Sequence, residues 1–417
     1  MKELKKELIF FTFRDFSKFG GGMIRIDGIL NSVSDVTEVI LISNISEKNK
    51  KALNPNIKHL EIGIKFSIFE KRLLQFCLSI LPLFIVNIIF QKKIKQLKEI
   101  FKKYQMEDKE IVFLEYLDIS IGYLSKKNNY IKDYICDVHG LVPNEFKQKK
   151  QKKISNYIKY ISAVLLDRKV FANANGMIFV SNAMKEYFFS IHQELINKKF
   201  VILPNFISKS SSNTNVNKIL LGSIKNKYGI NNNDKILFFA GGFKTLGGIT
   251  DLVKAFQIAE SKVSNIKLFL IGEGEELNNI NQIIESHNLE NKVILAGLIP
   301  YDELRTYQEL ADIIVCPDRE NIYSNLILHL KYIDSLSSNK IVINGGFKAV
   351  KEINIDEKLS LDFIPSNIES LAHKIIYALE NEKILKEKYS FNNQYVRENL
   401  LYENNANILL DFKKDKS

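Results

Sequence analysis

The feature that most constrains this chain is a recurrence. From residue 7 onward, short apolar runs return at intervals of roughly 20 to 40 residues, with polar, helix-compatible segments between them. That rhythm belongs to βα units feeding a parallel sheet, and it predicts an α/β fold. Strands are expected at 7–13, 38–43, 111–116, 134–139, 177–181 and 200–203 in the first half. In the second half they are expected at 235–240, 266–271, 292–296, 312–316 and 340–343. A chain of 417 residues exceeds what one core organises, so the two sets imply two domains, each on a parallel sheet. The segment 208–234, rich in Ser, Asn and Lys, reads as linker and poorly packed edge. The expected division is therefore 1–207, 235–388, and a helical tail, 389–417, packing back across the first domain.

Composition narrows the partners. Apolar residues make up 46% of the chain and charged residues 26%, the balance of an ordinary globular protein. A formal net charge of +11 attracts anionic lipid, nucleic acid or phosphorylated substrates. A nucleic-acid surface would interleave aromatic with basic residues, and the basic runs largely lack them, so no nucleic-acid partner is expected. Cys77, Cys136 and Cys316 form neither a C-x-x-C pair nor a disulfide framework, which fits a reducing compartment. The charged start runs straight into a strand without a signal-peptide h-region, so a cytoplasmic location is expected.

Two segments point toward a membrane surface. Residues 73–90 are apolar and are bracketed by Lys71 and Arg72 before and Lys92 and Lys93 after. They contain Gln75, Pro82 and Asn87 and fall short of a spanning helix of about 20 residues. A helix dipping into one leaflet and a buried helix both fit. Residues 147–153 hold five lysines, suited to anionic headgroups or to a solvated helix end. The expectation is peripheral contact at the inner face of the cell membrane.

Gly20, Gly21 and Gly22 follow the first strand and open a helix. Glycine lets a backbone approach a ligand, and helix-start N–H groups favour negative charge, so this turn suits a phosphate or an acceptor. The spacing is not G-x-G-x-x-G, and bound NAD is not indicated. The strand at 134–139 ends in Cys136-Asp137-Val138-His139-Gly140, placing His139 at a carboxyl edge where it can bond a sugar hydroxyl or a phosphate. The remaining histidines are scattered, so no metal site is expected.

The second half carries FFAGGFKTLGGITDLVKAF from Phe238, LFLIGEGEEL from Leu268, VILAGLIPYDEL from Val293, ADIIVCP from Ala311 and LKYIDSLSSNKIVINGG from Leu330. With the glycine turn, DVHG, FVSNAM at Phe179 and LPN at Leu203, these segments resemble, in order, the retaining glycosyltransferases of family 4. The resemblance implies the GT-B fold, two Rossmann-like domains facing each other across a cleft. It also implies a metal-independent, hexosyltransferase-type enzyme that needs no cofactor and takes a nucleotide diphosphate-sugar, a UDP-sugar being the first expectation. Transfer to a glycan or lipid-linked acceptor in surface polysaccharide synthesis follows.

Carried over by position, Asp334 stands where the family holds a glutamate on the donor ribose, and Leu326 stands where a second acid is common. Asp318 and Glu320 are nearby acids. Ser324, Asn325 and Leu326 open a helix toward the diphosphate, Gly297 and Leu298 mark where the base packs, and Gly241 and Gly242 line the donor loop. The arginine and lysine that neutralise the leaving diphosphate fall at Gly242 and Gly247. Two fixed positive charges are the largest electrostatic help such a site offers. Lys244, Arg14 and Lys18 are the candidate replacements, with Lys244 and His139 the expected catalytic residues. The same departures support a rival reading, a GT-B protein that has lost transfer and serves as a binding or scaffold subunit.

Overall fold

The computed structural model describes residues 7–16, 21–46, 49, 53–147, 154–209 and 216–414. The chain divides into two compact units, one of Met1–Pro204 with Tyr402–Ser417, the other of Asn205–Leu401.

The first unit is built on seven strands: β1 (Glu7–Thr12), β2 (Glu38–Ser43), β3 (Ile57–Glu61), β4 (Glu110–Phe113), β5 (Asp133–Val138), β6 (Gly176–Phe179) and β7 (Lys199–Ile202). Their order is β3-β2-β1-β4-β5-β6-β7, with every pairing parallel. The second unit holds β8 (Lys235–Ala240), β9 (Ile266–Ile271), β10 (Val293–Gly297), β11 (Ile313–Cys316), β12 (Ile341–Gly345) and β13 (Leu361–Phe363). These run β10-β9-β8-β11-β12-β13, again parallel throughout. Parallel sheets bury both faces, which is why their strands read as unbroken apolar runs. Alternation along β8 shows it: Leu237 and Phe239 join one apolar cluster, Ile236 and Phe238 the other.

Two strands escape the sequence pattern, and both are edges. Along β3 only Ile57 is fully buried, so no continuous apolar run marks it, and β13 has three residues. The segment 208–234 is not mere linker. It contains the helix Lys218–Lys227, capped by Asn217, and Ile224 and Ile230 are buried in the second unit's core. The tail is divided: the helix Asn392–Asn399 belongs to the second unit, while residues from Tyr402 join the first.

The apolar stretch 73–90 breaks at Leu81 and Pro82 into the helices Ile68–Ile80 and Leu83–Ile89, the first opened by a Ser67/Glu70 capping box. Among the described residues no helix is long and apolar enough to cross a membrane. Leu74, Cys77, Leu78 and Val86 are buried, whereas Phe76, Ile80, Phe84, Ile88 and Ile89 are exposed. The side chains of the lysine cluster 147–153 lie outside the described residues. All three cysteines are buried and free.

Candidate functional site

In an open α/β sheet, ligands sit beyond the carboxyl ends of strands where the strand order reverses. Those places are between β1 and β4 in the first unit and between β8 and β11 in the second.

At the first, Gly20 and Lys18 lie outside the described residues, and Gly21 opens the helix Gly21–Ser34. A Cβ on Gly22 would lie 3.1 Å from Nη2 of Arg14, so glycine there leaves room for the guanidinium. Arg14 is paired with Glu115 at 2.5 Å, which offsets its charge. At the end of β5, His139 is half-buried, with Nδ1 3.0 Å from Oδ2 of Asp137. Asp137 in turn receives Nε and Nη2 of Arg25, at 2.9 and 2.6 Å, in a bidentate pair that is fully buried. Burial pushes the Asp137 carboxyl up, but Arg25 and His139 outweigh it and hold it well below the usual carboxylate range. Arg25 also donates to the carbonyls of Leu203 and Pro204, at 2.9 and 3.2 Å. The sequence singles out His139 and gives no sign of Arg25, which lies 112 positions from its partner.

At the second, the connection from β8 is locked by glycines. Gly248 has φ +67° and a Cβ there would stand 1.8 Å from the Pro317 carbonyl oxygen, so this turn presses directly on the segment leaving β11. Gly274 takes φ +158° to lie against Phe243, whose amide donates to Glu273 at 2.9 Å. The Arg319 amide donates to Leu246 at 3.0 Å, and its side chain forks onto Asp251. Gly241, Gly242, Lys244 and Gly247 are thereby held beside the start of the 317–321 segment. Lys244 is exposed. Its Cε lies 3.5 Å from where a Cβ on Gly242 would be, so the lysine stem runs alongside that position at ordinary contact distance.

Ser324, Asn325 and Leu326 fall in the short helix Ile322–Leu326. Its Ser324 amide already donates to Asn321, at 2.9 Å, and Leu326 is buried. Gly297 has φ +72° with open space around it, followed by an exposed Leu298. Asp334 lies on the helix Leu330–Leu336, hydrogen-bonded to Tyr301 and near Arg305, so it belongs with the segment that leaves β10. Burial pushes its carboxyl up to about 7, against Tyr301 and Arg305. Asp318 is buried and ion-paired with Lys331, while Glu320 is exposed. Among the described residues no three His, Cys, Asp or Glu side chains gather as metal ligands.

Residues 222–395 match the family model of glycosyl transferases group 1. Alpha-monoglucosyldiacylglycerol synthase of Acholeplasma laidlawii is 22% identical over 200 residues, 47% of this chain and 48% of that protein. The aligned stretches cover between 19% and 57% of the length of the curated relatives. Among solved structures, sucrose-phosphate synthase from Thermosynechococcus elongatus superposes with a TM-score of 0.71 at 14% identity, over 99% of each chain. Anabaena Alr3699/HepE in complex with UDP superposes at 0.69 and 13% identity, over 98% of this chain and 100% of that one. Two parallel sheets in this order and a family match that falls wholly within the second unit have one meaning: the chain carries a glycosyl transferases group 1 segment on the GT-B fold.

Proposed function

We propose that the chain is a retaining, metal-independent glycosyltransferase moving a sugar, a hexose by first expectation, from a UDP-sugar to a glycan or lipid-linked acceptor at the inner face of a membrane. The observation that carries this reading is the pairing of Asp334 with the segment that leaves β10, which sets an acid suited to ribose hydroxyls in the same neighbourhood as Gly297 and Leu298, suited to a base. In the transfer the sugar–phosphate bond breaks, the acceptor oxygen bonds to the anomeric carbon on the same face, and the acceptor proton passes to the departing diphosphate. Lys244 would offset charge on that diphosphate, and His139 would bond the sugar.

The membrane side of the reading rests on an exposed apolar face. Ile154, Tyr157, Ile158, Ile161 and Leu165 are all exposed along the helix Ile154–Asn173, at helical spacing. The helix Ile68–Ile80 packs beside it, joined by a 2.8 Å contact between Ser79 and Ser162, and it exposes Ile68, Phe69, Phe76 and Ile80. With Lys71, Arg72 and Lys159 on the same helices, this face suits an anionic bilayer.

The absence of side chains at Gly242 and Gly247 favours the rival, a binding subunit without turnover. One experiment separates them: the purified protein is given a panel of nucleotide diphosphate-sugars, with and without anionic vesicles carrying membrane extract, and both binding and nucleoside diphosphate release are followed. Acceptor-dependent release, enhanced by vesicles, supports the transferase. Binding without release, or no binding at all, moves the assignment to the binding or scaffold subunit.

A further inference from the structure

The geometry points to Lys331 as a diphosphate-binding residue of the donor site, supplying from the helix after β11 a positive charge that Gly242 and Gly247 do not. The inference rests on the reading of the chain as a nucleotide-sugar transferase. Three observations place Lys331 there. Its Nζ stands 5.5 Å from the centre of the Phe239 ring, and the same ring lies 3.1 Å from where a Cβ on Gly241 would be. The ammonium is therefore next to the glycine loop, at the carboxyl edge between β8 and β11. Second, Lys331 and Asp334 are three residues apart on one helix, so their side chains leave the same face one turn apart, about 5 to 6 Å between Cβ atoms. A nucleoside diphosphate whose ribose meets Asp334 carries its phosphates past the neighbouring turn. Third, the thiol of Cys316, at the end of β11, feels Lys331, Asp318 and Asp334 together, so the three charges converge on one strand end.

The pair with Asp318 prepares the lysine for this task. Nζ lies 2.8 and 2.7 Å from the two carboxylate oxygens, with the Asp318 side chain 8% and the lysine 25% exposed. A buried carboxylate holds the ammonium, and a quarter of the lysine side chain remains exposed. An ammonium has three N–H donors, so it can hold the carboxylate and still donate to phosphate oxygens. With the side chain already ordered, little rotamer entropy is lost on binding. Asp318 also opposes an incoming phosphate, so the pair attracts less than a bare lysine would. Lys244, whose stem lies beside Gly242, has no carboxylate partner among the described residues.

Titration with uridine, UMP and UDP tests this, with the guanosine and adenosine series run in parallel. Lys331→Gln should weaken UDP binding by about tenfold, the scale of one charge-assisted hydrogen bond, and leave uridine affinity unchanged. Lys331→Arg should recover most of the loss. Asp318→Asn, which removes the opposing charge and keeps the side-chain shape, should tighten UDP binding. Equal losses for uridine and UDP in Lys331→Gln would mean that the lysine only maintains the fold, and unchanged UDP affinity would remove it from the site. A wild-type protein that binds none of the three nucleoside diphosphates defeats the functional reading itself, and this inference with it.

Discussion

Burial pushes the Asp334 carboxyl up to about 7, and in the ribose-binding role proposed for it only the ionised form would accept two hydroxyls well. Donor affinity should therefore rise as pH climbs through about 7 and fall below it. Asp334→Ala should weaken donor binding by about 1 to 3 kcal/mol at pH 8 and by much less at pH 5.5, where the wild-type side chain is already protonated. Calorimetric titration at the two pH values checks this, and an unchanged affinity at pH 8 takes Asp334 out of the site. Asp167 shows the same force without a ligand. It is buried in the helix Ile154–Asn173, and burial pushes its carboxyl up to about 8 despite a hydrogen bond from Tyr116. Its folded value lies above its unfolded one, so the folded state holds the extra proton between about pH 4 and 8, and stability falls as pH rises through that window. Asp167→Asn removes the titration. The unfolding free energy of the variant relative to wild type should climb with pH by up to about 1.4 kcal/mol per unit across that window. Parallel denaturation curves over that range would refute the assignment.

An element works only where its ends are held, and the connection leaving β8 is held by a glycine that touches another strand's exit. Gly248→Ala places a methyl group 1.8 Å from the Pro317 carbonyl oxygen, at a φ of +67° that alanine resists. The segment after β11 must move, carrying Asp318 with it. A loss of about 2 to 4 kcal/mol in denaturant unfolding is expected, with weaker donor binding in the population that remains folded. Wild-type stability and affinity would mean that the two exits are not coupled. This explains what the sequence made legible. Central strands such as β1 and β8 are buried on both faces and announce themselves as apolar runs, whereas β3 fully buries only Ile57 and β13 is too short. The glycines of 241–248 could be read as a ligand loop, but the reason for Gly248 lies in the segment that leaves β11, remote in sequence. Asp137 could be read with His139, but Arg25 is joined to it only by the fold. Lys331 had a local signal, its place three residues before Asp334, but it gains meaning only from its position over Phe239.

At the scale of the molecule, the chain leaves the first unit at Pro204 and returns to it at Tyr402. The return is structural. A Cβ on Gly28 would lie 2.2 Å from Cδ2 of Tyr402, and one on Gly176 would lie 2.6 Å from Cζ of Phe412, so both aromatic rings rest on backbone that only glycine exposes. Tyr402, Ala406, Leu409 and Phe412 are buried, Lys199 sits 4.7 Å from the centre of the Phe412 ring, and Tyr402 lies alongside Arg25. Ending the chain at Leu401 should therefore cost the first unit about 6 to 10 kcal/mol, from three large apolar side chains at about 1.5 to 3 kcal/mol each and the uncovered surroundings of the Arg25–Asp137 pair. A loss of that size exceeds the margin of most domains, and calorimetry should show the first unit's transition displaced to low temperature or absent. The second unit, complete within Asn205–Leu401, should keep its own transition and, on the proposed function, the UDP affinity assigned to it, while the proposed sugar transfer is lost with the framework of His139. If the shortened chain melts like the intact one, the returning segment is an ornament on the first unit. If UDP binding disappears together with the first unit's transition, the donor site is not contained in the second unit, and the assignments of Asp334 and Lys331 fail together.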